Sequence, residues 1–133
     1  MCGNLIVLAA IDYVYFYEIE FAKYILPYHY RQYNSKQWLP DECFINEITK
    51  TAFIIEKKFQ SSSGSVDEKL PSCHFKKREY EKLFFPLGYP VVFIYVFNDW
   101  FQHSMYRDTL QYIKDMGCYY FFNEIPLTVF TKL

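Results

Sequence analysis

Residues 51–60, TAFIIEKKFQ, constrain this chain more than any other stretch. An apolar run of strand length, too short for a core helix, ends abruptly in one acid and two lysines. Side chains alternate across a strand, so Phe53, Ile55, Lys57 and Phe59 share one face, and Ala52, Ile54, Glu56, Lys58 and Gln60 share the other. Glu56, Lys58 and Gln60 then project together near the strand's end, about 7 Å from one to the next. A carboxylate there is costly to bury without a compensating cation. In water the same Glu-x-Lys spacing is an ordinary surface pair worth under about 1 kcal/mol.

The flanking sequence supplies the sheet. Residues 42–48 are also strand-like, and the turn between the two runs falls near residues 46–50, which predicts a β-hairpin. SSSGS at 61–65 is a loop by composition. Residues 69–85 carry Cys73, Tyr80, Leu83, Phe84 and, just beyond, Leu87 at helical spacing; Pro71 is tolerated in a first turn and Gly88 stops the helix. YPVVFIYVF at 89–97 is the continuous apolar run of a central strand. A second helix over 103–116 shows Tyr106, Leu110 and Ile113 on one face and stops at Gly117, and CYYFF at 118–122 is the last strand. The tail from Pro126 has no assignment. Upstream, residues 4–16 suit a strand or a buried helix start, and 18–34 a helix up to Pro27. Strands alternating with helices late in the chain predict an α/β, or mixed α+β, fold in which helices flank a mixed sheet. No repeat or linker divides the 133 residues, so a single domain over 1–133 is expected.

Composition narrows the function classes. Aromatic residues make up 23% of the chain, with 14 Tyr and 14 Phe, so either the core is very aromatic or an aromatic surface meets a partner. A net charge of −1 supplies no global field toward nucleic acid, and any such contact needs a local patch. Cys2, Cys43, Cys73 and Cys118 are widely spaced, which predicts free thiols in a reducing, cytoplasmic setting. The apolar N-terminal stretch is interrupted by Asp12, Glu18, Glu20 and Lys23, and lacks the basic start of a signal peptide, so neither a membrane span nor export is expected.

If the hairpin forms, Asp41 begins the strand beside Glu56 and reaches the same end of the sheet. Two converging carboxylates suit a hard cation such as Mg²⁺. A lysine beside them can hold or deprotonate a water, or stabilise charge on a phosphoryl oxygen. Pro40-Asp41 followed by Glu56-Lys57-Lys58 resembles the PD-(D/E)xK nuclease superfamily, the fold of many restriction endonucleases. The string IIEKKFQSSSGSVDEKLPSCHFKKREYEKLF is similar to a microbial subgroup in which an E-x-K-x-Q strand leads into a G-S-V-D-E-K-L loop and a basic helix. The similarity continues through YVFNDWF at 95–101 and CYYFFNEIPL at 118–127, and covers about 38–127; residues 1–37 lie outside it.

The resemblance implies a restriction endonuclease-like mixed sheet and Mg²⁺- or Mn²⁺-dependent hydrolysis of DNA phosphodiester bonds. It makes Asp41 and Glu56 metal ligands with the Lys57 carbonyl as a third oxygen, and gives Lys58 the attacking water. Gln60, Ser63, Lys69, Lys76, Lys77 and Arg78 would contact substrate. Glu18 and Glu20 are candidates for the further acid that many relatives carry upstream. A chain this short would be a truncated relative or would work as a homodimer, the usual way to cut both strands of a palindrome.

Other constellations compete. Five basic residues over 67–82 face Asp67, Glu68, Glu79 and Glu81, so this stretch is a solvated helix face with i,i+4 pairs or a phosphate-contacting one. The 61–65 loop is a plain linker or a close approach to a backbone. Cys73-His74 with Cys118 lacks the paired spacing of a zinc site, and no third group orients a Cys–His nucleophile. YHYRQY at 28–33 fits an amphipathic surface better than a base-stacking platform, and Trp100-Phe101 is expected to cap the core. Two other functions stay open: a nuclease-fold module that binds nucleic acid without cutting, and a protein-interaction domain with an aromatic surface.

Overall fold

In a computed structural model that describes residues 21–25 and 32–132, four strands form one mixed sheet in the order β1-β2-β3-β4. β1 (Glu42–Asn46) and β2 (Thr51–Lys58) are the antiparallel hairpin, while β3 (Val91–Phe97) runs parallel to both β2 and β4 (Tyr119–Phe122). Asn46 closes the hairpin turn: its Oδ1 accepts from the amides of Ile48 and Thr49 at 2.9 and 3.1 Å. Between β2 and β3 the chain passes through α1 (Val66–Lys69), a 3₁₀ turn (Leu70–Ser72) and α2 (Cys73–Phe84). Between β3 and β4 it makes two further 3₁₀ turns and α3 (Arg107–Asp115); α4 (Val129–Lys132) is the last element among the described residues. The architecture is therefore α+β, a mixed sheet flanked by helices, consistent with a restriction endonuclease-like fold.

Alternation along the strands divides the core in two. Cys43, Ile45, Ala52, Ile54, Phe93, Tyr95 and Phe97 face α2 and α3 and pack with Tyr80, Leu83, Phe84 and Ile113. Phe53, Ile55, Ile94 and Val96 point the other way and are covered by Ile125 and Phe130, so the unassigned tail folds into α4 to cover that face. The aromatic excess goes largely into the core: Phe21, Phe53, Tyr80, Phe84, Phe93, Tyr95, Phe97 and Phe101 are all at most 1% exposed. Each such burial contributes about 1.5–3 kcal/mol, and edge or tilted ring pairs such as Phe97–Phe101, 4.7 Å between centroids, add to it.

Two helix boundaries depart from expectation for local reasons. The chain turns from α-helix to 3₁₀ over Phe85–Leu87, which shifts the phase of the apolar stripe and leaves Leu87 38% exposed instead of on the core. α3 begins only at Arg107, after a 3₁₀ turn over Ser104–Tyr106 in which His103 Nδ1 accepts from the Met105 amide at 3.1 Å. Gly88 and Gly117 stop their helices with φ of +86° and +76°, where a side chain would be strained. Residues 21–24 are helical. The strand expected over 4–16, the acids Glu18 and Glu20, and most of the YHYRQY stretch lie outside the described residues. Among the described residues no helix is long and apolar enough to cross a membrane.

Candidate active site

Hydrogen-bond parity along β2 builds the site. The Ala52 amide donates to the Pro90 carbonyl at 2.9 Å, so even-numbered residues of β2 direct their backbone groups toward β3. The N–H and C=O groups of odd-numbered residues therefore face β1. The hairpin register sets Glu42 opposite Ile55. The ladder ends there; continued two further steps it would set Asp41 opposite Glu56 and Pro40 opposite Lys57. Directly opposed residues share a face of the sheet, so on that continued register Asp41 would face the α2 side with Glu56.

Pro40 explains why the end of β2 is open. A ladder residue at position 40 would receive the Lys57 amide and return its own N–H to the Lys57 carbonyl. Proline has no N–H to return. The Lys57 amide is taken instead by Asp41 Oδ2 at 2.8 Å, and the Lys57 carbonyl faces the same side without a ladder donor. If the register continues past Glu42, two carboxylates and one backbone carbonyl, all hard oxygen donors, would lie at the strand end. Among the described residues no three His, Cys, Asp or Glu side chains cluster as a metal site. Carboxylate and carbonyl oxygens are the donors a hard divalent cation takes.

Glu56 is 9% exposed, and its charge is compensated by two ammonium groups. Lys76 of α2 donates to Glu56 Oε2 at 3.0 Å, and Lys58 stands 3.9 Å from the same oxygen. Tyr95, the register partner of Glu56 on β3, is fully buried and gives its hydroxyl to the Leu70 carbonyl at 3.4 Å. Burial, and then the nearby Glu56 charge, hold that phenol far above its ordinary range, so it remains a neutral wall of the site.

Lys57 turns to the opposite face. Its ammonium meets Glu42 Oε1 at 2.6 Å, a diagonal pair across the hairpin. Burial pushes the Glu42 carboxyl above its ordinary range, against the opposing pull of Lys57's hydrogen bond and charge. The lysine that alternation aimed at the core thus pairs with a carboxylate, and only its backbone belongs to the site.

The chain after β2 is clamped. β2 ends at Lys58, so Gln60 lies past the strand instead of on it. The Asn98 side chain continues the β3 pairing there: its Nδ2 donates to the Gln60 carbonyl at 2.6 Å and its Oδ1 accepts from the Gln60 amide at 3.1 Å. Further on, Trp100 Nε1 donates to Tyr106 Oη, which donates to Asp67 Oδ1, both at 2.8 Å. These contacts tie the start of α1 to the segment after β3 and leave Ser63 exposed on the loop between the two clamps.

The basic residues separate by helix phase. Lys76 lies three residues after Cys73 and four before Tyr80, on the buried stripe of α2, and turns into the site. Lys77 donates to the Gly117 carbonyl at 3.1 Å, at the C-terminal end of α3 where a cation is favourable. Arg78, two residues from Lys76 and about 200° around the helix, is exposed and lines a surface groove with Gln32, Tyr33 and Phe85. Lys69 is exposed at the end of α1. Cys73 and Cys118 are buried free thiols, while His74 between the helix and solvent is exposed.

Sequence reasoning missed the Lys76–Glu56 pair, although a lysine on an apolar helical stripe signals a buried anion. It missed the Asn98 clamp, for which the sequence offers no comparable signal.

A family model described as a PD-(D/E)XK nuclease superfamily domain matches residues 33–83, which hold β1, β2, α1 and nearly all of α2. Asp41, Glu56, Lys57, Lys58 and Lys76 all fall within that match. No curated protein and no solved structure matches the chain. Over residues 33–83, less than half of its length, the chain is similar to the PD-(D/E)XK nuclease superfamily domain.

Proposed function

We propose that this protein is a divalent-metal-dependent endonuclease that hydrolyses DNA phosphodiester bonds. The single observation that carries the reading is the open end of β2. There the Lys57 amide donates to Asp41 Oδ2 at 2.8 Å and Lys58 stands 3.9 Å from Glu56 Oε2, and a register continued past Glu42 would put Asp41 opposite Glu56 and Pro40, which has no N–H, opposite Lys57.

Asp41, Glu56 and the Lys57 carbonyl would hold Mg²⁺ or Mn²⁺, which when bound polarises the phosphoryl oxygen and makes water a better nucleophile. Lys58 orients the attacking water, and its fixed charge stabilises the negative charge that grows on the phosphoryl oxygens. The Asp41 carboxylate is held in place by the Lys57 amide, so the ligand geometry is set before substrate arrives. Glu56 is screened from bulk water by α2 and the Tyr95 wall, which strengthens each charge interaction in the site. Gln60, Ser63 and Lys69 follow the open strand end in sequence, and we assign them to the DNA backbone. Lys76 and Lys77 are engaged with Glu56 and Gly117, and Arg78 points to the far side of α2, so the helix is not used as a uniform phosphate-binding face.

The test is cleavage of plasmid and single-stranded DNA by the folded chain, with Mg²⁺ or with chelator, beside Lys58→Ala. Metal-dependent cutting that falls about 10²–10³-fold in the variant is the expected result. A folded wild-type chain that binds DNA and does not cut it, with any metal, would replace the enzyme with a binding module. A chain that neither binds nor cuts would point to a protein partner.

A further inference from the structure

We propose that Lys76 is the internal counter-ion of the metal site: its ammonium holds Glu56 in the metal-free protein and must be displaced when a divalent cation binds. This rests on the assignment of Asp41 and Glu56 as metal ligands.

The charges and the geometry lead to it together. Asp41 and Glu56 bring two negative charges to the strand end, and Lys58 and Lys76 bring two positive ones, so the cluster is balanced without any ion. Of the two lysines, only Lys76 is within hydrogen-bond distance of the carboxylate, 3.0 Å against 3.9 Å for Lys58. Both ends of the Lys76–Glu56 pair are mostly removed from water, with side-chain exposures of 17% and 12%, so the interaction is weakly screened. An arriving cation therefore competes for this carboxylate against a partner carried on the first turn of α2. A full helical turn separates Lys76 from Tyr80, the core residue that anchors this part of α2, so the side chain can swing away without moving the helix.

A purely structural Lys76 would keep its contact with Glu56 when metal binds, whereas a displaced counter-ion leaves it. A counter-ion sets metal affinity, and removing it makes the site bind metal more tightly. Lys76→Met should bind Mn²⁺ about fivefold or more tightly than wild type, followed by electron paramagnetic resonance of the free ion in the absence of DNA. Lys76→Arg, which keeps the charge, should stay within about twofold of wild type on the same measure, because the competing cation remains. Asp41→Asn should abolish the binding in every background.

A second measurement uses the wild-type protein and does not depend on a variant folding. Mg²⁺ should raise the rate at which an amine-acylating ester labels Lys76 by severalfold, read by peptide mass spectrometry, while Lys36 labels at an unchanged rate. Equal Mn²⁺ affinity in wild type and Lys76→Met, with Asp41→Asn still abolishing it, would overturn the counter-ion and leave the metal site standing. Lys76 labelling indifferent to Mg²⁺ while Asp41-dependent binding persists would do the same. Absence of any Asp41-dependent binding would overturn both.

Discussion

Lys57 and Lys58 are adjacent, carry the same charge and serve opposite faces of one strand, so substituting each in turn tests the register from which the site is built. Lys57→Met removes the partner of Glu42, whose side chain is 2% exposed and whose oxygen lies 2.6 Å from the ammonium. Breaking a buried pair from one side typically costs about 3–5 kcal/mol, because the remaining charge is left uncompensated. The Lys57 side chain is 23% exposed, so water screens part of the interaction and about 2–3 kcal/mol is the expected loss. For a domain of this size that corresponds to a fall of about 8–12 °C in Tm. Lys58→Met removes a group 3.9 Å from Glu56, which Lys76 still compensates, and should lower Tm by no more than about 2 °C. Function should divide the other way. Lys57→Met keeps its backbone carbonyl and should retain Mn²⁺ binding and cutting, whereas Lys58→Met should fold normally and lose cutting.

The loss should also depend on pH with a definite sign. Burial raises the Glu42 carboxyl above its ordinary value of 4.5. An acid whose folded value lies above its unfolded one binds its proton more tightly in the folded state. Its contribution is present below the unfolded value and is lost as pH rises through the folded one. Lys57 opposes that rise, so removing it extends the window upward. The deficit of Lys57→Met relative to wild type should be small near pH 4.5 and grow toward neutrality. The double variant Glu42→Leu/Lys57→Met, with no charge left to bury, should recover most of the stability. Thermal melts across pH and a Mn²⁺ titration of the four proteins are sufficient. A Lys58→Met melt as depressed as that of Lys57→Met would refute the assignment of faces, and so would a folded Lys57→Met that no longer binds metal.

Three further expectations follow from the same geometry. Pro40→Ala supplies an N–H to the Lys57 carbonyl and should weaken Mn²⁺ binding about fivefold or more in a chain that still melts cooperatively; unchanged affinity would remove the carbonyl from the ligand set. Burial pushes the Glu79 carboxyl up, but hydrogen bonds from Trp38 Nε1 at 3.0 Å and from Lys82 outweigh it and hold it below its ordinary range. Its contribution is therefore present above the unfolded value of 4.5 and is lost as pH falls through the folded value, so Glu79→Gln should flatten the acid limb of stability measured by denaturant titration between about pH 3 and 5. Asn98→Ala deletes both bonds to the Gln60 backbone and should speed hydrogen exchange of the Gln60 amide at a cost of about 1–3 kcal/mol; an amide that exchanges as slowly as before would dismiss the clamp.

The hairpin, the central strand and the two glycine helix stops were legible because each is fixed by local chemistry: alternation, an unbroken apolar run, or a positive φ. The hairpin register that would carry Asp41 toward Glu56 was legible for the same reason, since register is set by the turn and by which face is apolar. Lys76 marks where local reasoning stops. Counted with its neighbours in HFKKREYEK it belongs to a basic surface. Counted against Cys73, Tyr80 and Leu83 it belongs to the buried stripe, and only the second count respects the helix period. Its partner lies 20 residues away on another element, and the sequence alone does not identify which anion waits there. Asn98 was less accessible still, because a side-chain amide that extends a parallel strand pair leaves no periodic trace. The cover that Phe130 of α4 forms over Phe53 is also non-local: a tail without a pattern of its own folds because Ile55, Ile94 and Val96 need a lid. The site is thus drawn from two sources. The strand positions of its proposed acids can be read from the chain, whereas Lys76, which holds Glu56, comes from a distant element and appears only once the sheet is assembled.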